Sequence, residues 1–341
     1  DDLVEMESEI ELEVKALTTC AYSNGTFTEI LNRIQKAVDN LSLHAYSNLQ
    51  QWVAKLDQRV EEALAFRLEA GLKAWTECLM KTAAGKDDTV DQSMDTDAPQ
   101  QAHKPGGDPQ IKPLIHELRI TNQVIYVNPP IEEARVHIMQ ELFAWEAVIT
   151  SLPRIKHSRY TVGLEAESES ETTYKKVLTK LPTGQRVLED AYSGIEGVMK
   201  EFSKYVNVWL RYQSLWDLNP DVLYSRLGTK LKTWMSTLEE IKASRKTFDT
   251  SETQKQLGPI IVQYGKVQSK VSLKYDSWHK EVLTKFGSFL GNEMTEFHAT
   301  ISKARGELEQ QSIDTANTSE AVGLITQVQA LKRKMIGWEK N

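Results

Sequence analysis

The stretch YVNVWLRYQSLWDL, residues 205–218, places Tyr205, Trp209, Tyr212 and Trp216 within twelve positions. Aromatic side chains at this density form either a platform for a ligand or one wall of a core. The spacing of their neighbours decides between the two. From Pro182 onward the apolar residues fall at Val187, Ala191, Ile195, Val198, Phe202, Tyr205, Trp209, Tyr212 and Trp216, and every step is three or four. That is the period of one helix face. Val206, Leu210 and Leu215 widen the stripe, as for a helix buried against two neighbours. Each large side chain buried in this way contributes roughly 1.5–3 kcal/mol, so a stripe of this length is costly to leave wet. The pattern predicts one helix with Trp209, Tyr212 and Trp216 as structural core, and it puts Lys204 and Gln213 on the opposite face.

The same period continues on both sides. Downstream, Asn219-Pro220 has the chemistry of a helix cap followed by a first helical residue, and Leu223, Leu227, Leu231, Trp234, Leu238 and Ile241 follow. A polar break at 249–257 ends in Gly258-Pro259. A second long stripe then runs from Ile260 through Tyr264, Val267, Val271, Tyr275, Trp278, Val282, Phe286, Phe289, Met294 and Phe297 to Ile301, and a last pattern covers Val322 to Trp338. Trp234 and Trp278 are the expected core partners facing Trp209. Upstream, Thr26-Phe27-Thr28-Glu29 fits a capping box. It opens a stripe from Ile30 to Leu79, read as one helix of about fifty residues or as two with a break near Ser42 or Ser47. Residues 1–13 carry seven carboxylates and read as a solvated helix start.

Three stretches are not helical by pattern. Residues 83–110 hold three Gly, three Pro and six Asp and almost nothing to bury, and they read as a disordered acidic loop. Their Asp spacing lacks the Gly and the terminal Glu of a calcium loop. Residues 114–128 are strand-like around a polar turn at Thr121–Gln123 and predict a small hairpin. Asn128-Pro129-Pro130 then opens a helix that places Ala134, Ile138, Leu142, Trp145 and Ile149 on one face and stops at Pro153. Between 157 and 182, Glu165, Glu167, Glu169 and Glu171 alternate with small residues and read as an exposed acidic loop, with Ser168 and Ser170 as its phosphorylatable hydroxyls. The expected fold is all-α: an elongated array of long antiparallel helical bundles with one small β-hairpin. The expected segments are 1–82 (first bundle), 83–110 (loop), 111–182 (hairpin, helix and acidic loop) and 183–341 (antiparallel bundle).

Composition narrows the function. The 341 residues carry a net charge of −7 and no basic cluster, which argues against nucleic acid as a partner, since phosphate affinity comes from clustered Lys and Arg. Two cysteines, Cys20 and Cys78, are too few for a disulfide framework and point to a reducing compartment. The Asn-x-Ser/Thr triplets at Asn24, Asn40 and Asn317 are at chance frequency and read as unglycosylated. No apolar run reaches the length of a membrane span, so no membrane insertion is expected. The chain begins Asp-Asp without Met, as a piece of something longer would. Phosphate-binding, dinucleotide-binding, nucleophile-elbow and zinc-protease signatures are all missing. His116-Glu117 has no second His four residues on. His279, beside Trp278, and His298, beside Phe297, are the histidines placed to be part-buried. Carboxylates on the long helices read as a solvated face. No catalytic, cofactor-binding or metal residue is assigned.

Several segments carry a resemblance: the opening stretch extended to YVNVWLRYQSLWDLNPDVLYSRLG, IYVNPPIEEAR at 125–135, LPRI at 152–155 and GPIIVQYGKVQSKVSLKYDSWHKEVLTKFG at 258–287. With them the chain resembles a cytoplasmic dynein heavy chain over nearly its whole length, residues 83–110 excepted. Family order implies a tail segment just before the linker to the motor ring. The resemblance implies a rod of stacked helices in a cytoplasmic, cytoskeleton-associated motor. Its implied partners are a second heavy chain, the intermediate and light intermediate chains, dynactin and cargo adaptors, with no cofactor of its own. A spectrin-like or tethering-complex rod is the alternative, but it would repeat near every hundred residues, and no such repeat is present.

Overall fold

The computed structural model describes residues 2–43, 48–83, 107–157, 172–310 and 317–340. Most of the loop read at 83–110, and the Glu165–Glu171 run with Ser168 and Ser170, lie outside the described residues. The chain is mostly helical with one small four-stranded sheet. It divides into two compact units: Asp1–Leu118, Tyr126–Val208 and Gln254–Gln263 form the first, and Arg119–Ile125, Trp209–Thr253 and Tyr264–Asn341 form the second. These units cut across the four segments read from the sequence, since residues 183–208 belong with the first.

In the first unit, α1 (Asp2–Leu17), α2 (Asn24–Leu43) and α3 (Leu49–Ala83) pack on one another. The acidic α1 is more than a solvated start. Its Ile10, Val14 and Leu17 are buried, and its Glu13 and Glu11 pair with Arg33 and Arg59 at 2.6 and 2.5 Å. The stripe from Ile30 to Leu79 is two helices. Helix α2 starts earlier than the Thr26 capping box: the Ser23 hydroxyl accepts from the Thr26 amide at 3.2 Å, so Ser23 fills the capping role. Helix α4 (Ile131–Thr150) lays Ala134, Ile138, Leu142 and Ile149 into the same core, and α5 (Arg186–Leu210) adds Val187, Ala191, Ile195, Val198, Phe202 and Val206.

A packing knot joins α3, α4 and the loop between α1 and α2. The Tyr22 ring stacks on Trp145 at 4.2 Å and meets Phe27 edge-on at 5.7 Å. Its hydroxyl donates to the Trp145 carbonyl, and the Trp145 indole N–H donates to the Gly71 carbonyl, both at 2.9 Å. Arg67 lies over the ring at 5.2 Å and donates twice to the Cys20 carbonyl. Gly107 presses on the Tyr22 backbone from outside. Its φ is +110°, and a Cβ there would stand 2.7 Å from the Tyr22 nitrogen. Gly107→Ala therefore combines a disfavoured backbone with a clash against main chain, and a cost of about 1–3 kcal/mol is expected. Faster amide exchange at residues 107–112 is the measurement, and unchanged exchange would contradict the docking.

The sheet corrects the expectation of a single hairpin. Strands β1 (Leu114–Thr121) and β2 (Val124–Asn128) form the predicted one, with Asn122 and Gln123 at φ +50° and +66° as its two-residue turn. A second hairpin, β3 (Gln254–Leu257) and β4 (Ile260–Gln263), occupies the polar break and the start of the last long stripe. Three β-branched residues in a row, Ile260, Ile261 and Val262, favour a strand, and Gly258 at φ +62° supplies the turn. The order is β2-β1-β4-β3, with β4 parallel to β1 in the register Leu114 to Ile260 and Glu117 to Gln263.

The second unit contains α6 (Ser214–Asp217), α7 (Pro220–Leu227), α8 (Leu231–Lys246), α9 (Gly265–Glu309) and α10 (Thr318–Lys340). Asn219 caps α7 as read, accepting from the Asp221 amide at 3.0 Å. Helices α8 and α9 pack along each other, and α10 packs on α9, where Trp338 stacks on Phe297 at 4.4 Å.

Candidate functional site

The single helix expected through Trp216 ends at Leu210, passes through a 3-10 turn at Arg211–Gln213 and restarts as α6. The five aromatics singled out from the sequence consequently fall into separate places. Trp209 is 7% exposed and packs against Tyr264 at 5.0 Å, Tyr212 at 5.8 Å and Phe248 at 6.1 Å. Tyr212 meets Phe248 edge-on at 5.2 Å, and Phe248 continues to Tyr275 at 6.0 Å. Trp234, 4% exposed, belongs to a second cluster with Leu227, Ile241 and Val282, against which the partly buried Trp278 packs. It stacks on Tyr224 and Phe289 at 5.9 and 5.6 Å, and its indole N–H donates to the Gly228 carbonyl at 3.0 Å. Trp216 is half-buried and has no ring partner among the described residues. Trp234 and Trp278 thus share one cluster, which does not include Trp209. The residues that do face Trp209 are Tyr264, which the sequence pattern places in the helical stripe, and Phe248, which sits just past the end of α8 and carries no periodic signal. Leu210, read as widening the stripe, is 36% exposed.

Gln213 is not on an inert face. Its side chain accepts from the Ile125 amide at 2.9 Å and donates to the Gln123 carbonyl at 2.7 Å, clasping the hairpin tip.

A second constellation, in the first unit, is built on the LPRI motif. Arg154 points its fork at α3: Nε and Nη2 donate to Asp57 Oδ2 at 3.0 and 2.8 Å, and Nη1 to Glu61 Oε1 at 3.0 Å. Lys180 donates to Glu61 Oε2 at 2.5 Å, and the Tyr174 hydroxyl to Asp57 Oδ1 at 2.8 Å. Arg154 also lies over the Tyr174 ring at 5.0 Å. From the other side, Gln35 of α2 accepts from the Lys156 amide at 2.9 Å and donates to its carbonyl at 2.7 Å. The Arg154 amide donates to the Thr172 carbonyl and the Tyr174 amide to the Leu152 carbonyl, tying 152–154 to 172–174. Burial pushes the Glu61 carboxyl up, but hydrogen bonds from Lys180 and Arg154 more than reverse this and hold it below the usual carboxylate range. Every charge in the clamp is paired. That makes it a registration device, fixing one alignment of α2, α3 and the 152–156 segment.

The expectation that carboxylates on long helices are solvated fails at three positions. Glu61, Glu69 and Glu146 are 2%, 6% and 8% exposed. Glu69 accepts from Lys73 at 2.6 Å and from the Thr183 amide at 2.8 Å. Glu146, beside the Tyr22 knot, has a buried Oε1 with no hydrogen-bond partner among the described residues, and burial pushes its carboxyl up to about 7. The folded chain therefore holds a proton that the unfolded chain releases near its ordinary 4.5. Stability from this group is full below about 4.5 and is lost as pH rises through about 7. Glu146→Gln should match the parent in melting temperature at pH ~4.5 and exceed it at pH ~8. Parallel melting-versus-pH curves would contradict this.

Among the histidines, burial falls on His116, 2% exposed, rather than on His298, which is exposed; His279 is half-buried. Burial pulls the His116 imidazole down, and its Nδ1 lies 2.8 Å from the Pro129 carbonyl. Cys20 and Cys78 are not joined in a disulfide, and the Cys78 thiol donates to the Pro109 carbonyl at 3.2 Å. Among the described residues no group of three or more His, Cys, Asp or Glu gathers as for a metal ion, and no helix is long and apolar enough to cross a membrane.

No protein-family profile matches the chain. Curated relatives do. The chain is 56% identical over its whole length to a cytoplasmic dynein heavy chain of Drosophila melanogaster, 39% identical over 99% of its length to that of Dictyostelium discoideum, and 38% identical over 98% to that of Caenorhabditis elegans. In each case it spans only 7–8% of the relative's length. This end-to-end similarity means that the chain belongs, as a segment, to the cytoplasmic dynein heavy chain family.

Proposed function

We propose that this segment is a non-catalytic structural and interaction part of the tail of a microtubule-based motor heavy chain, and that it transmits force between cargo-binding or dimerising parts and the motor ring. The observation that carries the reading is the end-to-end similarity to cytoplasmic dynein heavy chains, over a segment whose clamp of Arg154, Asp57 and Glu61 holds helices in register. Long helices hold position by packing rather than by intrinsic propensity, so clusters such as those of Trp209 and Trp234 act as core and set stiffness. On this reading the helices form an elongated array of antiparallel bundles. The whole protein works in the cytoplasm on the cytoskeleton, paired with a second heavy chain and carrying intermediate and light intermediate chains, dynactin and adaptors. The segment itself takes no nucleotide, metal, membrane or nucleic acid.

The test uses the full-length motor. Loosening this segment with Trp234→Ala should leave microtubule-stimulated ATPase within about twofold and lower the stall force in an optical trap, because a softer rod transmits less load. An unchanged stall force, or saturable ATP binding mapped to residues 1–341, would overturn the proposal.

A further inference from the structure

In the second unit, an open cleft of ≈ 330 Å³ lies between α8 and α9, lined by Ile241, Lys242, Arg245, Lys246, Tyr275, Asp276 and His279. Its floor is apolar: Ile241 is 8% exposed and Tyr275 is half-buried. Its rim is cationic, in a chain whose net charge is −7. Arg245 is already spent, donating to Asp276 at 3.1 Å and to Asp249 at 2.5 Å. That pairing ties both carboxylates to one guanidinium, although they stay 62% and 53% exposed, and leaves two lysines on the rim in excess. Lys242 and Lys246, one helical turn apart and exposed, have no acceptor among the described residues, and the His279 ring across the cleft has none either. The fold leaves these donors unused while Asp249 and Asp276 are held on Arg245.

We propose that this cleft docks an acidic peptide segment of a partner chain, with an apolar side chain on Ile241 and Tyr275 and carboxylates on Lys242 and Lys246. A cation pair one turn apart over an apolar floor fits alternating acidic and apolar side chains. A lone phosphate would use the lysines and leave the floor empty. The proposal rests on the reading above only in expecting a partner chain.

Zero-length carbodiimide crosslinking of the purified full-length heavy chain with its bound subunits tests it, since an amide forms only where a lysine amine touches a carboxylate. Lys242 and Lys246 should crosslink to Asp or Glu of another chain. The Lys242→Glu/Lys246→Glu variant should lower that chain's affinity about tenfold or more at about 150 mM salt, while Lys232→Glu, exposed on α8 outside the cleft, leaves it within about twofold. Crosslinks confined to this chain, an unchanged affinity in the double variant, or loss of binding only to phosphatidylserine vesicles or inorganic phosphate would each overturn the proposal. A stall force that falls with Trp234→Ala, alongside a silent cleft, would sink this inference and leave the proposed function standing.

Discussion

Arg154→Ala is expected to destabilise the first unit by about 3–5 kcal/mol, the usual cost of removing one partner from a buried ionic group. The side chains involved are deeply placed: Arg154 and Asp57 are each 16% exposed and Glu61 is 2% exposed. Without the guanidinium, Asp57 keeps the Tyr174 hydroxyl and Glu61 keeps Lys180, but two buried carboxylates then share one ammonium. Arg154→Lys should recover only part of the loss, because an ammonium cannot serve Asp57 and Glu61 as a planar fork does. The measurement is the urea midpoint of the first unit's transition, assigned by amide exchange on α3. Acid supplies a second readout. Glu61 is held low in the folded chain, so its contribution is present above its ordinary 4.5 and is lost as pH falls through the lowered value. Arg154→Ala should flatten that acid limb. A variant that keeps the parent's midpoint and acid limb would show that the clamp is incidental.

Trp209→Ala should cost about 3–5 kcal/mol, from lost burial plus the cavity left among Tyr212, Phe248 and Tyr264. Trp216→Ala should cost about 1 kcal/mol, because that ring is half-buried and stacks on nothing described. Lys204→Ala, on an exposed side chain whose pairing among the described residues is with Glu201 at 3.8 Å, should stay within ~0.5 kcal/mol. Gln213→Ala departs from a surface substitution: it strands the buried Ile125 amide, at about 1–2 kcal/mol. If the aromatics were a partner platform instead, Trp209→Ala would leave melting unchanged and weaken assembly. One set of variants and two assays, thermal melting and subunit co-purification, separate the outcomes.

The sequence made most of the long helices legible because these bury stripes with a period of their own, Thr318–Lys340 being an exception with no buried residue, and Asn219-Pro220 announced a cap that forms as read. It hid whatever depends on a distant partner. Ile260-Ile261-Val262 continues a three-or-four step into Tyr264 and equally makes a short strand. Only the approach of β1, far upstream, decides between them. Trp209 and Trp234 both read as core positions, yet periodicity names a face and not its neighbour, so their division into two clusters was invisible. Asp57 and Glu61 flank Leu56 and Val60 at the margin of a buried stripe. That margin was the available clue that they were not solvated, and its partner Arg154 lies almost a hundred residues away.

The parallel pairing of β1 with β4 also has a consequence during synthesis. Leu114 leaves the ribosome about 150 residues before its partner Ile260 does, which at about 5–20 residues per second is roughly 7–30 s. Throughout that interval the first unit lacks Gln254–Gln263, and the edge of β1 at Leu114–Glu117 that will pair with β4 presents unpaired main-chain groups. Open edges of this kind are templates for pairing with other chains. On a polysome, neighbouring nascent heavy chains hold the same edge open at the same time. The risk of wrong pairing is therefore highest between copies of this very segment, and it ends only when the second hairpin has been made.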